Sequence, residues 1–182
     1  MILKKLTPDH PDIPILKKLF VEAFPENERM MSMDDILANL NQMPADLLGV
    51  YPEETPDRFV GFFFGLRGKS SVYGVYYATL PELRSTGVGG KAFKAILDYY
   101  DDIPFLFSYE SPFEESDNAV QRERRRSFYL KNGFHETGWF ASLNGTEFIL
   151  ASSKEEFDKD AFIELMTSLT GGALVPELYR RD

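Results

Sequence analysis

Between Ser71 and Tyr109 the chain sets two apolar, aromatic-rich runs on either side of a glycine turn and a helical stretch. Ser71–Thr79 is dense in aromatic and β-branched residues, and Pro81 closes it. Arg84 follows, then Gly87, Gly89 and Gly90, and a good helical sequence with Phe93, Ile96, Leu97 and Tyr100 on one side. Ile103–Tyr109 is nearly continuous apolar sequence, as expected for a strand buried on both faces. Strand, helix and strand in this order predict a right-handed parallel βαβ unit. The same segment suggests chemistry. Glycines let backbone N–H groups approach a ligand closely, and a helix N-terminus adds positive partial charge. The turn reads as a seat for a pyrophosphate.

The flanking chain is compatible with a sheet built around that unit. Met1–Leu6 reads as a short strand and Ile13–Phe24 as a helix ended by Pro25. Ser32 is an N-cap candidate for a second helix, with Asp34 and Asp35 in its first turn and Pro44 at its close. Asp46–Tyr51, Arg58–Leu66 and Val72–Thr79 are strands whose links are too short for crossovers, so they pair antiparallel. After an acidic loop, Ser111–Asp117, a helix is expected over Asp117–Asn132, capped by Ser116 or Asp117 and stopped at Gly133. Phe134–Leu143 and Thr146–Ala151, joined by Asn144-Gly145, read as a hairpin. A last helix spans Glu155–Leu169, and the tail after Pro176 is expected to be less ordered. The element order predicts an α+β sandwich with a mixed sheet.

Composition excludes several classes of function. The chain of 182 residues suits one domain, 1–182, with a core over about 1–152 and a C-terminal helix and tail at 153–182. It has no cysteine, which rules out disulfides, thiolate metal sites and cysteine nucleophiles. His10 and His135 lie too far apart in sequence to suggest a metal site, and no metal is expected. A formal charge of −9 argues against a nucleic-acid partner, which needs a basic footprint. No window approaches a membrane span, so no membrane partner and a cytoplasmic location are expected.

Three phosphate motifs can be laid on the glycine turn. A P-loop fails, because Ser85 stands where its first glycine belongs and Ala92 where its hydroxyl belongs. A dinucleotide fingerprint matches at Gly87, Gly89 and Ala92, with Glu110 near the place of a ribose contact. Against it, the glycines do not follow the strand directly, and too little chain remains after Glu110 for further βαβ units. The third pattern is Arg84-Ser85-Thr86-Gly87-Val88-Gly89 with Pro81 ahead of it. It resembles the acyl-CoA pyrophosphate loop of GNAT-type N-acetyltransferases, and Ser127-Phe128-Tyr129-Leu130-Lys131-Asn132-Gly133-Phe134 resembles that family's helix-to-strand motif.

The resemblance implies a GNAT-like mixed, mostly antiparallel central sheet flanked by helices, with acetyl-CoA as acyl donor. It implies that main-chain groups of Tyr77, Ala78 and Thr79 meet the pantetheine arm. Arg84 would lie at the loop entry, and amides of Ser85, Thr86, Gly87, Val88, Gly89 and Gly90 would hold the pyrophosphate. Tyr129 would protonate the departing thiolate, and Glu110 is the candidate base or water-positioner. One departure stands out. Many members carry an Asn seven residues before the tyrosine, where this chain has Arg122. The arginines of that helix, Arg122 and Arg124–Arg126, read either as a solvated face balancing the acidic loop or, at Arg122 or Arg125, as a contact to a CoA phosphate. The acceptor is expected to be a primary amine of a small molecule or peptide, on a monomer or homodimer. Acids at Glu26, Glu28, Asp34, Asp35, Glu110, Glu114, Glu115 and Asp117 would suit a cationic amine. Two alternatives remain: a non-catalytic acyl-CoA-binding or regulatory protein of the same fold, and a nucleotide-dependent oxidoreductase.

Overall fold

The computed structural model describes residues 1–26, 29–101, 103–113, 118–143, 145–170 and 175–181. Its elements run β1 (Ile2–Lys5), α1 (Ile13–Ala23), α2 (Met33–Asn39), β2 (Ala45–Tyr51), β3 (Gly61–Arg67), β4 (Val72–Thr79), α3 (Val88–Tyr99), β5 (Phe105–Glu110), α4 (Ala119–Lys131), β6 (His135–Leu143), β7 (Thr146–Ser152), α5 (Lys159–Thr170) and β8 (Glu177–Tyr179). This is an α+β fold of mostly antiparallel strands and flanking helices. The chain divides into two compact units, one of Met1–Arg67 with Gly74–Asp102 and one of Gly68–Tyr73 with Ile103–Asp182.

In the first unit the strand order is β1-β2-β3-β4. β1 pairs antiparallel with β2, Leu3 opposite Val50, and β2 pairs antiparallel with β3, Leu48 opposite Phe63. Phe62, Phe63 and Phe64 are all fully buried, so β3 is covered on both faces. Each such ring is worth about 1.5–3 kcal/mol once out of water. β3 also approaches β4 closely at Gly61, where a Cβ would stand 2.5 Å from the carbonyl oxygen of Ala78. Only glycine leaves that spacing undisturbed.

The helices of this unit begin and end where local chemistry requires. α1 has Pro14 in its first turn, buries Ile13, Leu16, Leu19 and Phe20, and stops before Pro25. The Ser32 side chain caps α2 by accepting from the Asp35 N–H at 3.1 Å. The Tyr76 hydroxyl accepts from the N–H groups of Met30 (2.7 Å) and Met31 (3.2 Å), tying the segment between α1 and α2 to β4. Asp46 is buried at the start of β2, where it accepts from Arg67 and Tyr100 and lies 3.2 Å from Lys5.

In the second unit the order is β5-β7-β6-β8. Tyr109 lies opposite Ile149 and Phe140 opposite Ile149 in turn, so β7 is the middle strand of this set. The β6–β7 register shifts between Glu136 and Phe140, where Gly138 has φ +74°. α5 buries Phe162, Leu165 and Met166, and Phe162 packs edge-on against Tyr73 at 5.2 Å. α4 buries Tyr129, and of its arginines Arg122, Arg125 and Arg126 are half-buried and Arg124 is exposed.

Three expectations need correction. α5 starts at Lys159 rather than Glu155, because the Asp158 carboxylate accepts from the Ala161 N–H and sets the cap there. α4 starts at Ala119 with Asn118 as its N-cap residue, and the expected caps Ser116 and Asp117 lie outside the described residues. The tail after Pro176 is not loose: Glu177–Tyr179 form β8, paired antiparallel to β6. Asn144 and Gly171–Gly172 lie outside the described residues. No described helix is long and apolar enough to cross a membrane.

Candidate functional site

The glycine turn lies in the first unit. A single 3-10 turn over Pro81–Leu83 ends at Arg84, whose N–H donates to the Pro81 carbonyl. Ser85 then takes φ +63° and Gly87 φ +84°, which bends the chain sharply into α3. Gly87 is the N-cap residue of that helix, with no side chain capping it. Among the described residues, the N–H groups of Val88, Gly89 and Gly90 donate to no acceptor of the chain. A Cβ on Gly87 or Gly90 would meet nothing within 4 Å. A helix N-terminus with three uncommitted amides and open space beside its glycines fits an anionic phosphate group.

β4 orients this turn. The Tyr77 hydroxyl donates to the Gly89 carbonyl at 2.6 Å, and its ring packs on Phe93 at 5.4 Å. Two anchors, one polar and one apolar, therefore fix the first turn of α3 to β4. Ala78 is buried, Thr79 is half-buried, and the Leu80 N–H donates to the Val60 carbonyl beyond the strand end. Arg84, Ser85 and Thr86 are exposed, with the Thr86 hydroxyl donating to the Leu83 carbonyl. The sequence pointed to Tyr77 for its main chain only. Its phenol as the strut of the turn had no sequence signal.

The two remaining candidates lie in the second unit. Tyr129 sits on α4 with its ring stacked on Tyr109 (5.4 Å, 9°) and close to Phe107 (4.7 Å) and Phe134 (5.9 Å). Burial pushes its phenol well above the usual range, opposed by the charge of Arg125, so it stays protonated. Glu110 ends β5, is 3 % exposed and accepts from Arg125, with Arg122 at 3.9 Å. Arg122 also donates to Asn118 (2.8 Å) and to the Ser111 carbonyl (3.0 Å). Arg126 donates to Glu136, which also accepts from the Tyr109 hydroxyl at 2.9 Å. Burial raises the Glu136 carboxyl, but these hydrogen bonds outweigh it and leave the group below its ordinary value.

Arg122, Arg125 and Arg126 of α4 thus act on neighbouring carboxylates and carbonyls, while Arg124 is exposed. Of the acids expected to line an acceptor mouth, Asp34 pairs with Lys17 and Asp35 joins the Ser32 cap. Glu28, Glu114, Glu115 and Asp117 lie outside the described residues.

No protein-family model and no curated protein matches the chain. Solved structures do. A GNAT-family protein of Bacteroides thetaiotaomicron, assigned as an acetyltransferase, superposes with a TM-score of 0.74 at 21 % identity, covering 94 % of this chain and 99 % of its own. An aminoglycoside 6'-N-acetyltransferase complexed with coenzyme A gives 0.65 at 15 % identity, over 88 % of this chain and all of its own. A spermidine N-acetyltransferase SpeG chimera from Vibrio cholerae and hSSAT gives 0.63 at 16 % identity, over 85 % and 95 %. The chain has the GNAT acetyltransferase fold.

Proposed function

We propose that residues 1–182 act as one acetyltransferase domain, an acetyl-CoA-dependent enzyme that transfers the acetyl group directly to a primary amine of a small molecule or peptide. The observation that carries this reading is the α3 N-terminus, where the amides of Val88, Gly89 and Gly90 have no chain acceptor among the described residues. The fold supports it, as do solved structures of that fold with coenzyme A or with a bisubstrate analogue.

When bound, acetyl-CoA supplies an acyl group already activated as a thioester, so the chain's task is position and electrostatics. Arg84 and the amides of Ser85 and Gly87–Gly90 hold the pyrophosphate, the Thr86 N–H being given to the Leu83 carbonyl, with Tyr77 bracing the turn through Gly89. Main-chain groups of Tyr77, Ala78 and Thr79 orient the pantetheine arm, and a strand amide there polarises the carbonyl under attack. Tyr129 donates the proton that the departing sulfur needs, and its burial keeps that proton in place beforehand. Glu110, with its carboxylate engaged by Arg125, is the base or water-positioner: it takes the proton of the incoming ammonium directly or through a bridging water. The acceptor reading draws on the fold's other bearers, an aminoglycoside and a spermidine acetyltransferase among them.

The test is thiol release from acetyl-CoA over a panel of polyamines, aminoglycosides and peptide N-termini. The expected result is turnover on at least one amine. Acetyl-CoA binding with no turnover on any amine would favour the non-catalytic acyl-CoA-binding reading instead.

A further inference from the structure

Residues 177–181 are fastened to the second unit by more chemistry than a three-residue strand requires. β8 pairs with β6 through Phe140 opposite Tyr179, Ala141 opposite Leu178 and Ser142 opposite Glu177. The Tyr179 ring stacks on Phe140 at 5.9 Å and 22°, and its hydroxyl donates to the Glu147 carboxylate at 2.6 Å. Arg181 donates to both oxygens of the same carboxylate, at 2.6 and 2.9 Å. Its guanidinium also lies over Phe140 (5.0 Å) and Phe113 (5.7 Å), and Arg126 covers Phe113 at 5.8 Å. On the preceding residue, Arg180 lies over Trp139 at 4.8 Å.

Glu147 is the hub. Its side chain is 7 % exposed, a costly place for a charge unless the partners are well aimed. Burial pushes its carboxyl upward, and hydrogen bonds from Tyr179, Ser111 and Arg181 more than reverse this. Its main chain meets the same residue: the Glu147 carbonyl accepts the N–H of Ser111 at 2.8 Å. Ser111 is fully buried and directly follows Glu110. The Ser111 carbonyl in turn accepts from Arg122, which lies 3.9 Å from Glu110. Phe113, two residues further on, is 58 % exposed yet held between two guanidiniums. Charge-assisted hydrogen bonds and cation–π stacking are directional, so they fix orientation where apolar packing alone would not.

We propose that Tyr179 and Arg181 are positioning residues: through Glu147 and Phe113 they clamp Ser111–Phe113, and so hold Glu110 in place for the acceptor half of the reaction. The clamp stands on the contacts alone, whereas its acceptor-side role rests on the transferase reading above.

Two measurements separate these parts. The first is amide hydrogen exchange at Ser111 by NMR in the full chain, in Arg181→Ala and in Tyr179→Phe, which keeps the ring stack and removes one hydrogen bond. Arg181→Ala is expected to speed Ser111 exchange by about tenfold or more while amides of β1–β3 keep their protection. Unchanged Ser111 exchange in both variants overturns the clamp. If Arg181→Ala does not fold, Tyr179→Phe decides alone. The second measurement is steady-state kinetics. The clamp variants are expected to raise the amine KM or lower kcat by about threefold or more, with the acetyl-CoA KM unchanged. Arg181→Lys keeps the charge but loses the planar guanidinium that lies over Phe140 and Phe113, so it is expected to recover only part of the loss. Faster Ser111 exchange with all kinetic constants unchanged overturns the positioning role. A wild-type chain with no turnover on any amine overturns the acceptor-side role together with the transferase reading, and the exchange result then still decides the clamp.

Discussion

Gly87 carries the tightest constraint of any single residue in the candidate site. It sits at φ +84°, and a Cβ added there would find nothing within 4 Å, so alanine meets a backbone penalty and no clash. Gly87→Ala should lower unfolding free energy by about 1–2 kcal/mol in urea titrations and weaken acetyl-CoA binding. An unchanged midpoint would mean that the turn readily adopts another conformation. Tyr129→Phe asks a different question. The ring keeps its stacking on Tyr109 and Phe107, so stability should change by no more than about 1 kcal/mol. Turnover should fall by about a hundredfold or more with acetyl-CoA affinity kept, and an unchanged kcat would remove Tyr129 as the acid. Gly87 was legible in the sequence because a left-handed backbone selects glycine. Ser85, at φ +63°, left no such trace. The Glu110–Arg125 contact was not legible either, since it joins side chains from two separate elements.

Helix starts, strand runs and the β6–β7 hairpin were readable wherever a local rule decides them. Ser32 caps α2 by its own side chain, Pro25 follows α1, and the apolar run after α3 became the buried strand β5. Reading failed where a distant partner decides. β8 has only three residues and an ordinary composition, and what holds it is Phe140 and Glu147 on strands far earlier in the chain. The closeness of β3 to β4 at Gly61 was equally invisible in sequence. Gly61→Ala places a methyl 2.5 Å from a backbone oxygen that cannot swing away. We expect a loss of about 1–3 kcal/mol in denaturant melts, and a loss near zero would show that the two strands separate easily at that point.

At the scale of the molecule, the buried or half-buried carboxylates of Asp46, Glu136 and Glu147, among the described residues, contribute to the response to acid. Asp46, Glu136 and Glu147 are each raised by burial and brought below their ordinary values by hydrogen bonds from Arg67, Arg126 and Tyr179 with their neighbours. A folded-state value below the unfolded one means that the unfolded chain binds the proton more readily. The stability these groups contribute is therefore complete above the unfolded value, at about pH 4–5, and is lost as pH falls through the folded values. Urea midpoints should stay level from neutral pH to about 5 and drop steeply below about 4. Midpoints that rise on acidification would contradict this.

The central claim is that the amides at the start of α3 receive the diphosphate of an acyl-CoA. A ligand that binds only the folded chain must raise its melting temperature. Thermal melts of the wild-type chain should therefore shift upward with acetyl-CoA and not with NAD or ATP. A shift with NAD, or no shift with acetyl-CoA at millimolar concentration, would contradict the account.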